Sequence, residues 1–188
     1  MNMNELASKL SANGVIGVIP TDTLYGVVCR AGDNEAVGRL YKLKERENKP
    51  GTIIAADIKQ LEELGLKYRY LKAVEQFWPG AVSVVIPAAN PNLSYLHQGK
   101  MSLAVRVPAD KRLQALLKET GPLLTSSANQ PGKEPAATPE QAKKYFGDKV
   151  DFYEDGGDLS GRQPSTLIRV LDDAIEVLRQ GAVNVDSI

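Results

Sequence analysis

The 188-residue chain has one cysteine, Cys29, and one histidine, His97. A single cysteine excludes an internal disulfide and fits a reducing compartment. A Cys/His zinc site is disfavoured, because it needs several such residues together, and a Ser-His-Asp relay would have His97 alone to draw on. Net charge is missing too, since 23 Lys+Arg balance 23 Asp+Glu. No global field draws in nucleic acid, so any anion site must come from local clustering. No apolar run approaches the roughly 20 residues of a membrane helix. The N-terminal "MNMNELASKL" lacks the basic-then-apolar pattern of a signal peptide. A cytoplasmic protein with no membrane partner is the expectation. Neither GxxxxGK[ST] nor GxGxxG occurs, which removes two common nucleotide folds.

What is present suits one domain over residues 1–188. The hydrophobic fraction of 43% is enough for a sizeable core, and 24% charge is ordinary for a water-exposed surface. "NGVIGVIP" (13–20) reads as a buried strand, with "TDTLYG" following as a loop. Asp33 to about Arg46 reads as a helix capped by Asp33, with Val37, Leu40, Tyr41 and Leu43 on its apolar side. "TIIAA" (52–56) is a second strand, and Asp57 opens a helix with Gln60 in the capping-box position. Tyr70–Phe77 is a further helix stopped by "WPG". "AVSVVIP" (81–87), "SLAVRVP" (102–108) and "PLLT" (122–125) are strand-like, with a helix to about Glu119 between the last two. Thr138-Pro139-Glu140-Gln141 starts a helix. "STLIRV" and "AIEVLR" close the chain as strands. The alternation predicts an α/β domain with a mixed sheet.

Several stretches could carry chemistry, and each has a plain structural alternative. "KLKERENK" (42–49) reads alone as a helix C-terminus that attracts cations. It also fits a polyphosphate site, with Lys as point charge and Arg as bidentate fork. "TSSAN" (125–129) reads alone as a Ser/Asn-rich turn, and it also offers hydroxyls and an amide at a strand end that could meet phosphate oxygens. "PTDTLYG" (20–26) is a site-bearing loop after a strand or an Asx turn. Arg106 inside "LAVRVP" is costly to bury unless it meets a carboxylate, either internal or from a ligand.

In this order, "VIPTDTLYG", "KER", "FWPGAVSVVI", "LAVRVP", "TSSANQPG", "STLIRV" and "VLRQGAV" resemble the YrdC/Sua5/TsaC family of threonylcarbamoyl-AMP synthases. The family's K-x-R motif matches Lys44-Glu45-Arg46 and its S-x-N motif matches Ser127-Ala128-Asn129. The resemblance implies a single α/β domain, a twisted mixed sheet flanked by helices, and a central electropositive cavity. It implies the short, single-domain form, condensing L-threonine, bicarbonate and ATP to threonylcarbamoyl-AMP and pyrophosphate for the t6A37 modification of tRNA. By family match Lys44, Arg46, Lys49, Ser102, Ser127, Asn129 and Arg179 would contact ATP, with Lys44 and Arg46 catalytic. Thr23, Arg106, Thr125 and Ser165 would contact threonine. No protein metal site is implied; Mg2+ would arrive with ATP. Downstream t6A-transferase proteins and tRNA or double-stranded RNA are the implied partners. The chain departs from the family at Glu47, where a proline is usual, and in the short spacer between Arg46 and Lys49. An RNA-binding module and a carbamoyltransferase-type maturation factor are the alternative readings.

Overall fold

The computed structural model describes residues 1–45, 49–172 and 174–187, with the side chain of Ser187 excepted. Arg46, Glu47 and Asn48 lie outside the described residues, so the catalytic and ATP-binding expectation for Arg46 falls on none of the geometry below.

Nine strands form one mixed sheet among the described residues: β1 (Gly17–Pro20), β2 (Tyr25–Arg30), β3 (Thr52–Ile54), β4 (Val82–Pro87), β5 (Ser102–Arg106), β6 (Leu123–Ser127), β7 (Phe152–Tyr153), β8 (Thr166–Leu171) and β9 (Ala174–Arg179). Their spatial order is β7-β1-β2-β6-β3-β5-β4-β8-β9. The pairs β1–β7, β3–β5 and β4–β8 are parallel and the others antiparallel, as the mixed-sheet expectation requires. The helices are α1 (Met3–Ser11), α2 (Asn34–Leu43), α3 (Ile58–Leu64), α4 (Tyr68–Val74), α5 (Ser94–His97), α6 (Lys111–Thr120) and α7 (Pro139–Phe146). None of them is long and apolar enough to cross a membrane.

The central strands are buried on both faces, so successive residues enter different cores. Val28, Ile54 and Leu123 pack with Leu6 and Leu10 of α1 and with Leu113, Leu116 and Leu117 of α6. Their neighbours Val27, Ile53 and Leu124 join the larger cluster on the other face, with Val37 and Leu40 of α2 and Leu71 of α4.

Local chemistry explains several helix ends. Asp33, Asp57, Asp110 and Thr138 each accept an N–H from the third residue of the helix they cap. The reciprocal arm expected from Gln60 goes one residue upstream, to the Ala56 N–H at 2.9 Å, and also ties α3 to α6 through the Leu117 carbonyl. Helix α2 ends at Leu43, three residues before its expected end, because Lys44 caps it and Glu45 turns to φ 50°. The expected 70–77 helix begins earlier, at Tyr68, and tightens after Val74 into a 3-10 turn, Glu75–Phe77. Helix α1 and strand β2 were not anticipated. The first rests on a full capping box, Asn2 with Glu5, and on buried Leu6 and Leu10.

Candidate active site

Helices α1 and α6 cover only part of their sheet face. On the same face, two residues beyond Leu123 on β6 and two before Ile54 on β3, stand Thr125 and Thr52. There the face opens into a cleft of about 180 Å3, whose lining includes Thr23, Thr52, Arg106, Thr125, Ser165 and Arg179. All four residues expected to meet threonine are therefore brought together, although they come from the β1–β2 loop, β5, β6 and the segment before β8.

Arg106 is 3% exposed and its guanidinium Nη2 lies 3.1 Å from Asp22 Oδ1. The internal carboxylate that a buried arginine demands is thus Asp22, from the "PTDTLYG" loop, a pairing that no local sequence signal marks. The pairing is incomplete. Arg106 Nη1 donates to Thr23 Oγ1 at a long 3.5 Å, while its Nε has no partner among the described residues. Burial pushes the Asp22 carboxyl up, and the attraction of Arg106 offsets only part of that shift. Burial likewise lowers Arg106, with Asp22 opposing and Arg179 adding to the effect.

Arg179 reaches the cleft through a bulge. Ile168 faces Val177 while Leu167 faces Arg179, so Leu178 is an extra residue that sets Arg179 on the side of Leu167. Leu167 lines the cleft. Arg179 donates to the Ser165 carbonyl from Nη2 at 2.8 Å and from Nε at 3.3 Å. Its Nη2 also lies 3.2 Å from Ser165 Oγ. That hydroxyl is held from beneath by Ser83 Oγ at 2.8 Å, and Ser83 is fully buried. Ser83 was legible only as an alternating polar residue in "AVSVVIP". Gly181 allows the approach: a Cβ there would stand 2.2 Å from the Pro164 carbonyl oxygen.

A second cluster joins two motifs far apart in sequence. Lys44, at the end of α2, is 5% exposed. Its Nζ donates to the Ser127 carbonyl at 2.6 Å, to Asn129 Oδ1 at 2.8 Å, and to the Asn129 carbonyl. Asn129 Oδ1 also accepts from Ser127 Oγ at 2.8 Å. Ser127 lines the cleft, so Lys44 stands behind its wall rather than in it. Ser102 shares the face of β5 that carries Ala104 and Arg106 but lies outside the lining. Lys49 borders a separate hollow with Tyr41, Lys42, Glu45 and Gln98. Lys42 is exposed, as a solvated helix end requires. Among the described residues no group of three His, Cys, Asp or Glu side chains could hold a metal ion.

A cleft with one buried, under-satisfied guanidinium and several hydroxyls suits a small acid that also carries a hydroxyl. Comparison with known proteins agrees in kind. The family model for Sua5_yciO_yrdC, described as "Telomere recombination", matches residues 9–181. The chain belongs to the Sua5/YciO/YrdC family. A threonylcarbamoyl-AMP synthase of Idiomarina loihiensis is 33% identical over 91% of this chain and 95% of its own length. Another, from Stutzerimonas stutzeri, is 35% identical over 94% of this chain and 96% of its own. Among solved structures, P. abyssi Sua5 complexed with L-threonine superimposes with a TM-score of 0.85 at 26% identity. That match covers 98% of this chain and 55% of the Sua5 chain, so the present chain spans little more than half of that relative.

Proposed function

We propose that the protein is a nucleotidyltransferase that makes L-threonylcarbamoyladenylate from L-threonine, bicarbonate and ATP. The observation that carries the reading is the convergence of Thr23, Arg106, Thr125 and Ser165 on one cleft. The names of its relatives, and the threonine complex of P. abyssi Sua5, support the choice of amino acid.

The chemistry follows from the side chains. The threonine carboxylate pairs with Arg106, and its hydroxyl finds partners among the cleft hydroxyls. Held there, the amine adds through its lone pair to the carbon supplied by bicarbonate, with loss of water, and gives a carbamate. A carbamate oxygen then attacks the α-phosphorus of ATP, and the bond to the β-phosphate oxygen breaks to release pyrophosphate. Negative charge builds on the phosphates in that step. Arg179 at the cleft supplies positive charge and N–H donors, and Lys44 behind the wall adds positive charge, without any histidine. Arg46, Lys49 and Ser102 belong to the same nucleotide-binding proposal. Magnesium enters this reading as a companion of the triphosphate substrate. The product would supply the enzymes that place t6A on tRNA.

The test is pyrophosphate release with ATP. It should require threonine and bicarbonate together, and should fail when carbamoyl phosphate replaces both. Release from ATP alone, or with carbamoyl phosphate, would overturn the reading.

A further inference from the structure

Resting on the threonine site proposed above, we infer that Asp22 is a built-in counter-ion of Arg106 that a substrate carboxylate displaces, so that Asp22 sets the affinity and selectivity of the cleft for carboxylate ligands. Asp22 sits between Thr21 and Thr23, and both of those line the cleft. Its carboxylate touches Arg106 through one oxygen at 3.1 Å, and that oxygen makes no properly aligned hydrogen bond. A structural Arg–Asp pair in such a buried place would normally close two parallel N–H···O bonds. Here the Nε donor is left over, although Arg106 is almost wholly buried.

The pair therefore neutralises charge without satisfying the guanidinium. A lone buried arginine is costly, so some anion must stay near it while the cleft is empty. Asp22 fills that need weakly enough to be exchanged. A ligand carboxylate that entered together with a hydroxyl to bind elsewhere in the cleft would gain the two-bond geometry that Asp22 lacks. A ligand without a carboxylate would gain nothing from Arg106 and would leave the internal pair intact. The arrangement acts as a filter: the competing group is part of the protein, and only a ligand that outbids it at Arg106 settles in the cleft.

The prediction has a sign that a merely structural role would not produce. Removing the competitor should strengthen binding. Threonine affinity is measured by calorimetry on the full chain for the parent, Asp22→Asn and Asp22→Ser, with L-threonine amide as the ligand lacking a charged carboxylate. Threonine should bind each variant about tenfold more tightly, a coupling of ordinary size, while the amide gains nothing. Asp22→Glu, which restores the charge, should return affinity to the parent level or below. Equal or weaker threonine binding by folded variants overturns the inference, and so does an equal gain for the amide. If both variants fail to fold, Asp22 is an obligatory structural partner rather than an exchangeable one, and the inference falls as well. Absence of threonine binding to the parent itself would instead count against the proposed function.

Discussion

Gly26 stands directly against Thr125: a Cβ on Gly26 would lie 2.5 Å from the Thr125 hydroxyl. Both residues line the cleft, one from β2 and one from β6. The glycine is there for space, since its backbone is not in the left-handed region. Gly26→Ala must push the Thr125 side chain aside, at a cost of about 1–3 kcal/mol for overpacking. Threonine KM should rise about tenfold or more, and the melting temperature should fall by a few degrees. An unchanged KM in the folded variant would remove Thr125 from the substrate contacts.

Lys44 carries a different burden, because its ammonium ties the end of α2 to the Ser127–Asn129 loop. Lys44→Met keeps the aliphatic stem and deletes the charge. The Ser127 and Asn129 carbonyls then lose a charged donor at a nearly buried place, which should lower stability by roughly 2 kcal/mol. Urea unfolding measures that loss. Activity should fall further than stability explains, since the wall of the cleft is loosened at Ser127. A variant as stable as the parent would show that the three contacts hold nothing in solution.

Much of this was readable in advance, for identifiable reasons. Strand β9 was placed at Ala174–Arg179 because β-branched residues and turn signals bound it. The caps at Asp33, Asp57 and Thr138 were visible because a side-chain oxygen three residues before a free N–H is a local signal. Strand β2 was missed because Gly26 weakens its pattern, and that glycine is explained only by Thr125, about a hundred residues away. The same limit hid Asp22. Its loop suggested a turn, and only the folded chain sets it beside Arg106. The bulge at Leu178 leaves no local trace, yet it decides which way Arg179 faces.

Acid should unfold the protein partly through Asp151 and Asp33. Burial pushes both carboxyls up, but hydrogen bonds outweigh it: Arg39 and the Ile16 N–H at Asp151, and the Ala36 and Gly14 N–H groups at Asp33. Both end below the usual carboxylate range. A depressed folded value means that the stabilisation is present above the unfolded value near 3.8 and is lost as pH falls through the folded one. Asp22 has the opposite sign: its raised value penalises the fold as pH rises through it, and relieves that penalty in acid. Urea-unfolding stability from pH 6 to pH 2.5 should therefore decline less steeply in Asp151→Asn than in the parent. Parallel curves would show that Asp151 binds protons alike in the folded and unfolded chain, so that its bonds to Arg39 and Ile16 contribute nothing to acid unfolding.

Arg179 and Ser83 act on one residue from two sides, and this makes their effects separable. Arg179 holds the Ser165 carbonyl and hydroxyl from an exposed strand, whereas Ser83 holds the same hydroxyl from within the sheet. Arg179→Ala should leave the melting temperature near that of the parent and lower kcat/KM about tenfold or more, because a charge at the cleft is lost. Ser83→Ala leaves charge untouched and should cost a few-fold in threonine KM, as the Ser165 hydroxyl loses one of its anchors. The double variant tests whether Ser165 is the shared element. Its loss in kcat/KM should be smaller than the product of the two single losses, since once one anchor is gone the other restrains less. Multiplicative losses would mean that Arg179 works on the nucleotide alone, and that its bonds to Ser165 serve only to aim the guanidinium.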